Sequence, residues 1–271
     1  MTGIEIDNRW TISEETSKFC WNAEEIESIL TNKDDIDHKY EDIDYLWIAV
    51  DIGVGINQTG IIGGMKTLPC EKYTNGRFLI TYIDRVKAIN DMKDHQCICQ
   101  CIETTHRLFR CDLFDHWIAV FVSGQSIKGY IQRMIDLSRD QMVFLKNVYV
   151  YEFFMDRLYL DGDIGAIDFL TTLMQSNFIK IHKECITGKG RDYIYDILGI
   201  FNEQLSNFCR IEPLKGGKGV QFLGNPNKPN SKSDVSRCSD DLVFSLLVLK
   251  KIFQFEKSYT EISKIYAHSV K

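Results

Sequence analysis

The sequence predicts an α/β fold built on a mixed β-sheet, and three features of the chain predict it. Residues 45–50 and 117–122 are short, continuous apolar runs rich in aromatic and β-branched side chains, which is typical of buried strands. Residues 59–68 and 78–86 have strand composition and are separated by a turn at residues 74–76, which indicates an antiparallel meander with the first run. Helical spacing between and after these strands predicts helices that flank the sheet.

The remaining elements follow from the same patterns. Helices are predicted over residues 23–30, 91–109, 127–137, 164–174, 193–208 and 240–255, and further strands over residues 147–151 and within 215–223. We divide the chain into an acidic leader or linker (1–44), a main domain (45–256) and a C-terminal tail (257–271).

Charge is distributed unevenly along the chain. The net charge is −6, yet the first 45 residues contain 13 acids and 4 bases, whereas the remainder contains 25 acids and 28 bases. The acidic total therefore does not exclude a nucleic-acid partner. No apolar run approaches the ~20 residues of a bilayer span, so no membrane association is predicted. The nine scattered cysteines, an odd number, favour a reducing intracellular environment over a disulfide framework.

Asp51 stands at the carboxyl end of the first apolar run, the edge where α/β sheets usually keep their active sites. A carboxylate there must be satisfied by a partner. One interpretation is a ligand for Mg²⁺ or Mn²⁺, since both ions prefer oxygen donors. The other is an acceptor for the amides of the turn at residues 52–55.

Asp240 and Asp241 open the last predicted helix after Ser239. Ser239 is a natural N-cap, and acids in the first turn suit the helix dipole. The helix body over residues 242–249 is apolar on nearly all sides, which predicts a buried helix. Two acids at the start of a buried helix are equally compatible with metal ligands that face the first strand.

A loop-like stretch over residues 210–238 carries six bases and two acids. It is either a solvated loop or a surface that contacts phosphates. Its position directly before Asp240 favours phosphate contact if that region is catalytic. The residues that would contact phosphates are Lys215, Lys218, Lys228, Lys232 and Arg237.

Other motifs do not predict a site. Cys97, Cys99 and Cys101 lack a second pair of ligands at zinc spacing, so buried thiols are the preferred interpretation. Residues 187–190 contain Gly188-Lys189 but fail as a Walker motif, so this chain is not expected to hydrolyse ATP by itself.

Taken in order, these segments resemble the RNase H-like nuclease domain of viral large terminase subunits, and most of all that of the herpesvirus tripartite terminase. The resemblance covers about residues 45–256. The segments that carry it are Trp47-Ile48-Ala49-Val50-Asp51, residues 119–126 (Ala-Val-Phe-Val-Ser-Gly-Gln-Ser), a helical segment from residue 164 through 180, residues 220–224 (Val-Gln-Phe-Leu-Gly) and Ser239-Asp240-Asp241-Leu242.

The resemblance implies hydrolysis of double-stranded DNA at a two-metal site of Mg²⁺ or Mn²⁺. Asp51 would be the bridging ligand, and Asp240 or Asp241 the ligand from the helix. One catalytic position departs from the family, because Ser123 stands where a Glu precedes the Gly of the second motif. A neutral Ser leaves the metal charge poorly balanced, so the site is expected to be weakened, completed by another residue, or inactive.

The function implied is endonucleolytic cleavage of concatemeric viral DNA during genome packaging in the host cell nucleus. The implied partners are double-stranded DNA, other terminase subunits, the portal protein and an ATPase motor that is absent from this chain. Two alternatives remain: a catalytically impaired DNA-binding or assembly module of the packaging motor, and a nuclease of the junction-resolvase type.

Overall fold

The first apolar run of the sequence lies at the centre of the main sheet. The structure, a computed structural model, describes residues 4–6, 10–12, 17–30, 42–51, 58–87, 118–123, 148–187, 196–211, 222–224 and 240–254. The described strands are β1 (Ile4–Ile6), β2 (Trp10–Ile12), β3 (Ser17–Phe19), β4 (Ile43–Asp51), β5 (Gln58–Thr67), β6 (Phe78–Lys87), β7 (Ile118–Ser123), β8 (Val148–Phe153), β9 (Ile179–Thr187), β10 (Cys209–Ile211) and β11 (Phe222–Gly224). The described helices are α1 (Ala23–Leu30), α2 (Arg157–Asp161), α3 (Ala166–Gln175), α4 (Ile197–Asn207) and α5 (Asp241–Leu247).

Six of the described strands form one mixed sheet in the order β8-β7-β4-β5-β6-β9. Strands β4, β5 and β6 are the predicted antiparallel meander. Strands β7 and β8 run parallel to β4, and β9 runs parallel to β6. The predicted α/β class with a meander, parallel strands and flanking helices is therefore confirmed.

The turn between β5 and β6 requires a glycine. Gly76 has φ = +69°, a left-handed conformation in which a side chain would be strained. The predicted turn at residues 74–76 thus reverses the chain here.

Both faces of the central strand β4 are buried. On one face, Trp47 and Ala49 belong to a core that also includes side chains from all five helices. The alternate residues Ile48 and Val50 are buried as well. Burial on two sides explains why the segment reads as a continuous apolar run and not as an alternating one.

Residues 17–30, which fall in the acidic N-terminal part of the sequence, pack onto the same core. Strand β3 pairs with β10, and the Trp21 ring stacks on Phe208 with ring centroids 5.5 Å apart. Asn22 and Glu25 form a capping box, since the side chain of each accepts the other's backbone N–H at 2.9 Å. Helix α1 covers the predicted residues 23–30.

The helix predicted over residues 164–174 is confirmed as α3, but the helical segment does not continue through residue 180. Helix α3 ends at Gln175, and β9 begins at Ile179. Asn177 takes φ = +54°, and the N–H groups of Asn177 and Phe178 donate to the carbonyls of Met174 and Leu173. This is a Schellman motif, which stops a helix and redirects the chain.

The predicted helix over residues 240–255 is interrupted. Helix α5 ends at Leu247, residue 248 forms a turn, and residues 249–254 are again helical. The predicted helices over 91–109 and 127–137 lie outside the described residues. No helix in the described ranges has the length and apolar character needed to cross a membrane.

Candidate active site

Asp51 is the last residue of β4 and lies in a row that crosses four strands. It pairs with Gly60 of β5 on one side and with Ser123 of β7 on the other. Gly60 pairs in turn with Arg85 of β6. The row therefore contains, in spatial order, Ser123, Asp51, Gly60 and Arg85, at the carboxyl ends of the parallel strands β4 and β7.

The first turn of α5 lies directly on this row. The backbone N–H of Asp51 donates to Ser245 Oγ at 3.1 Å, and that hydroxyl donates to the Asp241 carbonyl oxygen at 2.9 Å. A Cβ at position 60 would lie 2.4 Å from the same carbonyl oxygen. The close approach of helix to sheet therefore depends on glycine at this position.

The side chain of Asp51 lies on the face that α5 covers. Residues directly opposite each other in an antiparallel pair share one face of the sheet. A Cβ at Gly60 would meet α5, so its partner Asp51 faces α5 too. The structure thus brings the carboxyl end of the first predicted strand into contact with the last helix. That Asp51 and the acids of this helix share a cation stays a prediction.

The carboxylate of Asp241 is occupied by protein groups. Arg85 Nε lies 2.7 Å from Oδ2 and Arg85 Nη2 lies 3.0 Å from Oδ1, a two-point ion pair whose side chains are about 95% buried. Gln204 Nε2 of α4 donates to Oδ1 at 3.2 Å, and Gln204 Oε1 accepts the Leu242 N–H at 2.9 Å. Asp241 is therefore an anchor that ties α5 to β6 and α4.

Asp240 has a different environment. It is the N-cap residue of α5 and is 3% exposed, but its side chain makes no cap hydrogen bond. The N-cap is thus Asp240 and not Ser239, as the sequence had suggested. Helix capping explains neither acid at the start of α5, because the Asp241 carboxylate pairs with Arg85 and the Asp240 side chain makes no capping hydrogen bond.

The remaining predicted site residues are only partly described. The backbone of Ser123 pairs with Asp51, and its position in the row is fixed by that register. The basic residues Lys215, Lys218, Lys228, Lys232 and Arg237 lie outside the described residues, as do Cys97, Cys99 and Cys101. Within the described ranges, no group of three or more His, Cys, Asp or Glu side chains is placed to hold a metal ion.

The donor chemistry at this edge suits a hard cation. Asp51 and Asp240 are carboxylates on two elements that touch, and Mg²⁺ is commonly held by one or two carboxylates, with waters and substrate phosphates completing its shell. A site with only these carboxylates leaves most of the ion's ligands to water and substrate.

A buried acid also lies beside the row. Burial raises the pKa of Asp84, although hydrogen bonds from the Tyr82 hydroxyl and the Arg85 backbone N–H lower it in part. Asp84 precedes Arg85 in β6, so the two side chains leave opposite faces of the strand.

Four residues of this site were not predicted from the sequence: Gly60, Arg85, Gln204 and Ser245. Gly60 gave a usable signal, since a glycine inside a strand marks close approach of another segment. Ser245, the one polar residue among the apolar residues 242–249, gave another. The pair of Arg85 with Asp241 joins residues 156 positions apart, which no local pattern reveals.

Comparisons with known proteins establish the fold. No protein-family model and no curated protein matches the sequence. The structure is similar to the human cytomegalovirus terminase nuclease domain soaked with Mn and bound to an inhibitor (TM-score 0.55, 13% identity, 85% of this chain and 94% of that one). It is also similar to a second structure of the human cytomegalovirus terminase nuclease domain, soaked with Mn (TM-score 0.53, 14% identity, with the same coverage). The chain thus has the RNase H-like fold of terminase nuclease domains.

Proposed function

We propose that this chain is the nuclease domain of a DNA-packaging terminase and cleaves double-stranded DNA with the help of divalent metal ions. The observation that carries the proposal is the contact between the acidic start of α5 and the Asp51 end of β4. The similarity in fold to nuclease domains studied with Mn supports it.

Asp51 and Asp240 are the proposed metal ligands. Asp241 is a weaker candidate, because Arg85 and Gln204 already contact its two oxygens. Bound Mg²⁺ or Mn²⁺ would supply Lewis-acid activation of the phosphodiester and of the attacking water. The protein's part is to hold two carboxylates at fixed positions on a rigid strand and a buried helix.

The basic residues before α5 are the proposed DNA contacts. Lysine and arginine side chains there would neutralise phosphates without reading the base sequence. Other terminase subunits, a portal protein and a separate ATPase motor are the proposed partners, and the host cell nucleus is the proposed location. Herpesvirus-type packaging is the context that the sequence motifs favour.

A second candidate is a catalytically impaired module that binds DNA or assembles the packaging motor. Ser123 favours it, because this neutral residue pairs with Asp51 in the row where the related motif has a Glu. Loss of one carboxylate weakens both metal affinity and the charge balance of a two-metal site.

Cleavage of supercoiled plasmid in Mn²⁺, Mg²⁺ or EDTA tests the proposal. We expect metal-dependent nicking by the wild type and a loss of about 100-fold or more in D51N and D240N, since a metal ligand supplies several kcal/mol to the transition state. The matched control is D168N, an exposed acid on α3, which should cleave as the wild type does.

The Ser123→Glu variant separates the two candidates. Activity in S123E with an inert wild type identifies the impaired module, whereas activity in both identifies a working nuclease. Equal cleavage by the wild type, D51N and D240N would point to a contaminating enzyme and reject the proposal. Cutting of four-way junctions in strong preference to linear duplex would indicate a resolvase instead.

A further inference from the structure

We propose that Arg85 is a positioning residue, which rotates and fixes the first turn of α5 so that Asp240 is presented to the Asp51 end of β4. The inference rests on the proposed function, because it concerns the assembly of that metal site. It assigns no contact between Arg85 and substrate.

The geometry of the pair suits this role. Arg85 stands opposite Gly60 on β6, and its side chain meets Asp241 through two nitrogens. A planar guanidinium paired at two points fixes orientation as well as distance. Gln204 holds the same carboxylate and the next backbone N–H, so the first turn is fixed from two neighbouring elements.

Asp240 immediately precedes the anchored residue. Asp240 is the N-cap residue, and a single peptide unit joins it to the anchored residue. An anchor that holds Asp241 toward β6 therefore fixes the backbone position from which the Asp240 side chain projects. The hydrogen bonds from Asp51 N–H to Ser245 and from Ser245 to the Asp241 carbonyl keep the same turn against β4.

Stability alone does not account for a buried ion pair at this place. Burying two charges carries a desolvation cost that often equals the attraction between them, and apolar pairs of similar size are often as stable. An apolar pair would not set the rotation of the helix with two directional bonds. A role in orienting the first turn of α5 explains why the pair lies one residue from a proposed ligand.

The direction in which metal affinity changes when the Arg85–Asp241 pair is weakened distinguishes this role from the main alternative, in which Asp241 is itself a metal ligand. If Asp241 were itself a metal ligand, Arg85 would compete with the cation, and weakening the pair would tighten metal binding. If Arg85 positions Asp240, weakening the pair loosens metal binding.

Titration calorimetry with Mn²⁺ on the full chain measures the direction of this change in affinity. We expect R85K to bind Mn²⁺ about 10-fold more weakly than the wild type, since outer residues that orient metal ligands typically account for 10- to 100-fold in affinity. Lysine keeps the charge but not the two-point geometry. R85Q and D241N should also bind more weakly, and the double variant R85Q/D241N, a neutral pair that can still hydrogen-bond, should bind more tightly than R85Q or D241N alone.

Folding is checked by circular dichroism and thermal unfolding of each variant. Should R85K not fold, Gln204→Met removes the Gln204 hydrogen bonds to the Asp241 carboxylate and to the Leu242 N–H but keeps the Arg85 pair, and should weaken Mn²⁺ binding by a smaller factor in the same direction. Unchanged or tighter binding in folded R85K or Q204M would overturn the inference while leaving the metal site standing. A folded wild type with no saturable Mn²⁺ binding would reject the metal site and the inference together.

Discussion

Position 60 shows how one missing side chain determines the geometry of the candidate site. Gly60 separates Asp51 from Arg85 in the row across the sheet. Its hydrogen lets the α5 backbone approach the sheet closely. The site therefore requires glycine at position 60 as much as it requires the charged side chains around it.

Substitution of Gly60 by alanine should separate α5 from the sheet. The added Cβ would lie 2.4 Å from the Asp241 carbonyl oxygen and 2.6 Å from Ser245 Oγ. The Asp241 carbonyl oxygen is a backbone atom, so the clash is relieved only if the whole first turn of α5 moves. We expect a loss of about 1–3 kcal/mol in unfolding free energy, measured by urea denaturation.

Mn²⁺ affinity should fall in the same variant, because the proposed ligand Asp240 moves with the turn. Ser206→Ala, at an exposed position of α4, is the control and should change neither quantity. Wild-type stability and affinity in G60A would contradict the close packing of α5 on β5.

A buried carboxyl beside the row makes stability depend on pH. Burial raises the pKa of Asp84 above its ordinary value of 3.8. A group with a raised folded pKa favours the folded state at low pH, and this contribution is lost as pH rises through the folded pKa. The wild type should therefore lose stability relative to an Asp84→Asn variant between pH 4 and pH 7.

Urea denaturation of both proteins at the two pH values measures this difference. Asparagine can accept the Arg85 N–H and donate to the Tyr82 hydroxyl, so the hydrogen bonds are retained without the ionisable group. A difference in unfolding free energy that is the same at pH 4 and pH 7 would show that Asp84 does not titrate in this range.

Among the elements, α1 and the residues before it complete the core despite their distance in sequence. Trp21 is buried, stacks on Phe208 and donates from its indole nitrogen to Thr171 Oγ1 at 3.1 Å. Lys180 of β9 donates to the Ser28 carbonyl at 2.5 Å. The segment 17–30 therefore bridges α3, β9 and β10.

Truncation of Trp21 to alanine should cost about 3–5 kcal/mol of unfolding free energy, since it removes a large buried ring. The control is Leu158→Ala, because this large apolar residue is 76% exposed and its truncation should change stability by less than about 0.5 kcal/mol. Chemical denaturation of both variants gives the comparison. Similar stabilities would mean that residues 17–30 are not part of the folding unit.

The elements that the sequence predicted best are those set by local patterns. The apolar runs gave β4 and β7, the turn at Gly76 gave the β5–β6 hairpin, and helical spacing gave α1. Pairings between distant segments were not predicted, such as β3 with β10, because short strands carry no signal of their partner. The ion pair of Arg85 with Asp241 was not predicted either, because the two residues lie 156 positions apart in the sequence.

For the molecule as a whole, local charge matters more to DNA binding than the total. The net charge of −6 would repel a polyanion, but most of the excess acid lies in the first 45 residues. DNA affinity depends on the charges that lie close to the phosphates, so basic residues before α5 can attract DNA to a protein whose net charge is negative.

The salt dependence of DNA affinity tests the proposed contacts quantitatively. Each neutralised phosphate of duplex DNA contributes about 0.9 to the slope of log affinity against log salt. The double variant K215Q/K218Q should bind duplex DNA more weakly and reduce the magnitude of that slope by about 2, measured by fluorescence anisotropy between 50 and 200 mM salt.

The matched control is K72Q/K183Q, which removes the same charge from two exposed lysines of the hairpin turn and of β9. Lys72 lies at the end of the β5–β6 hairpin remote from Asp51, so the control double variant should leave most of the slope in place. Equal losses in the two double variants would mean that DNA responds to net charge alone, and the basic residues before α5 would then be ordinary solvated charges.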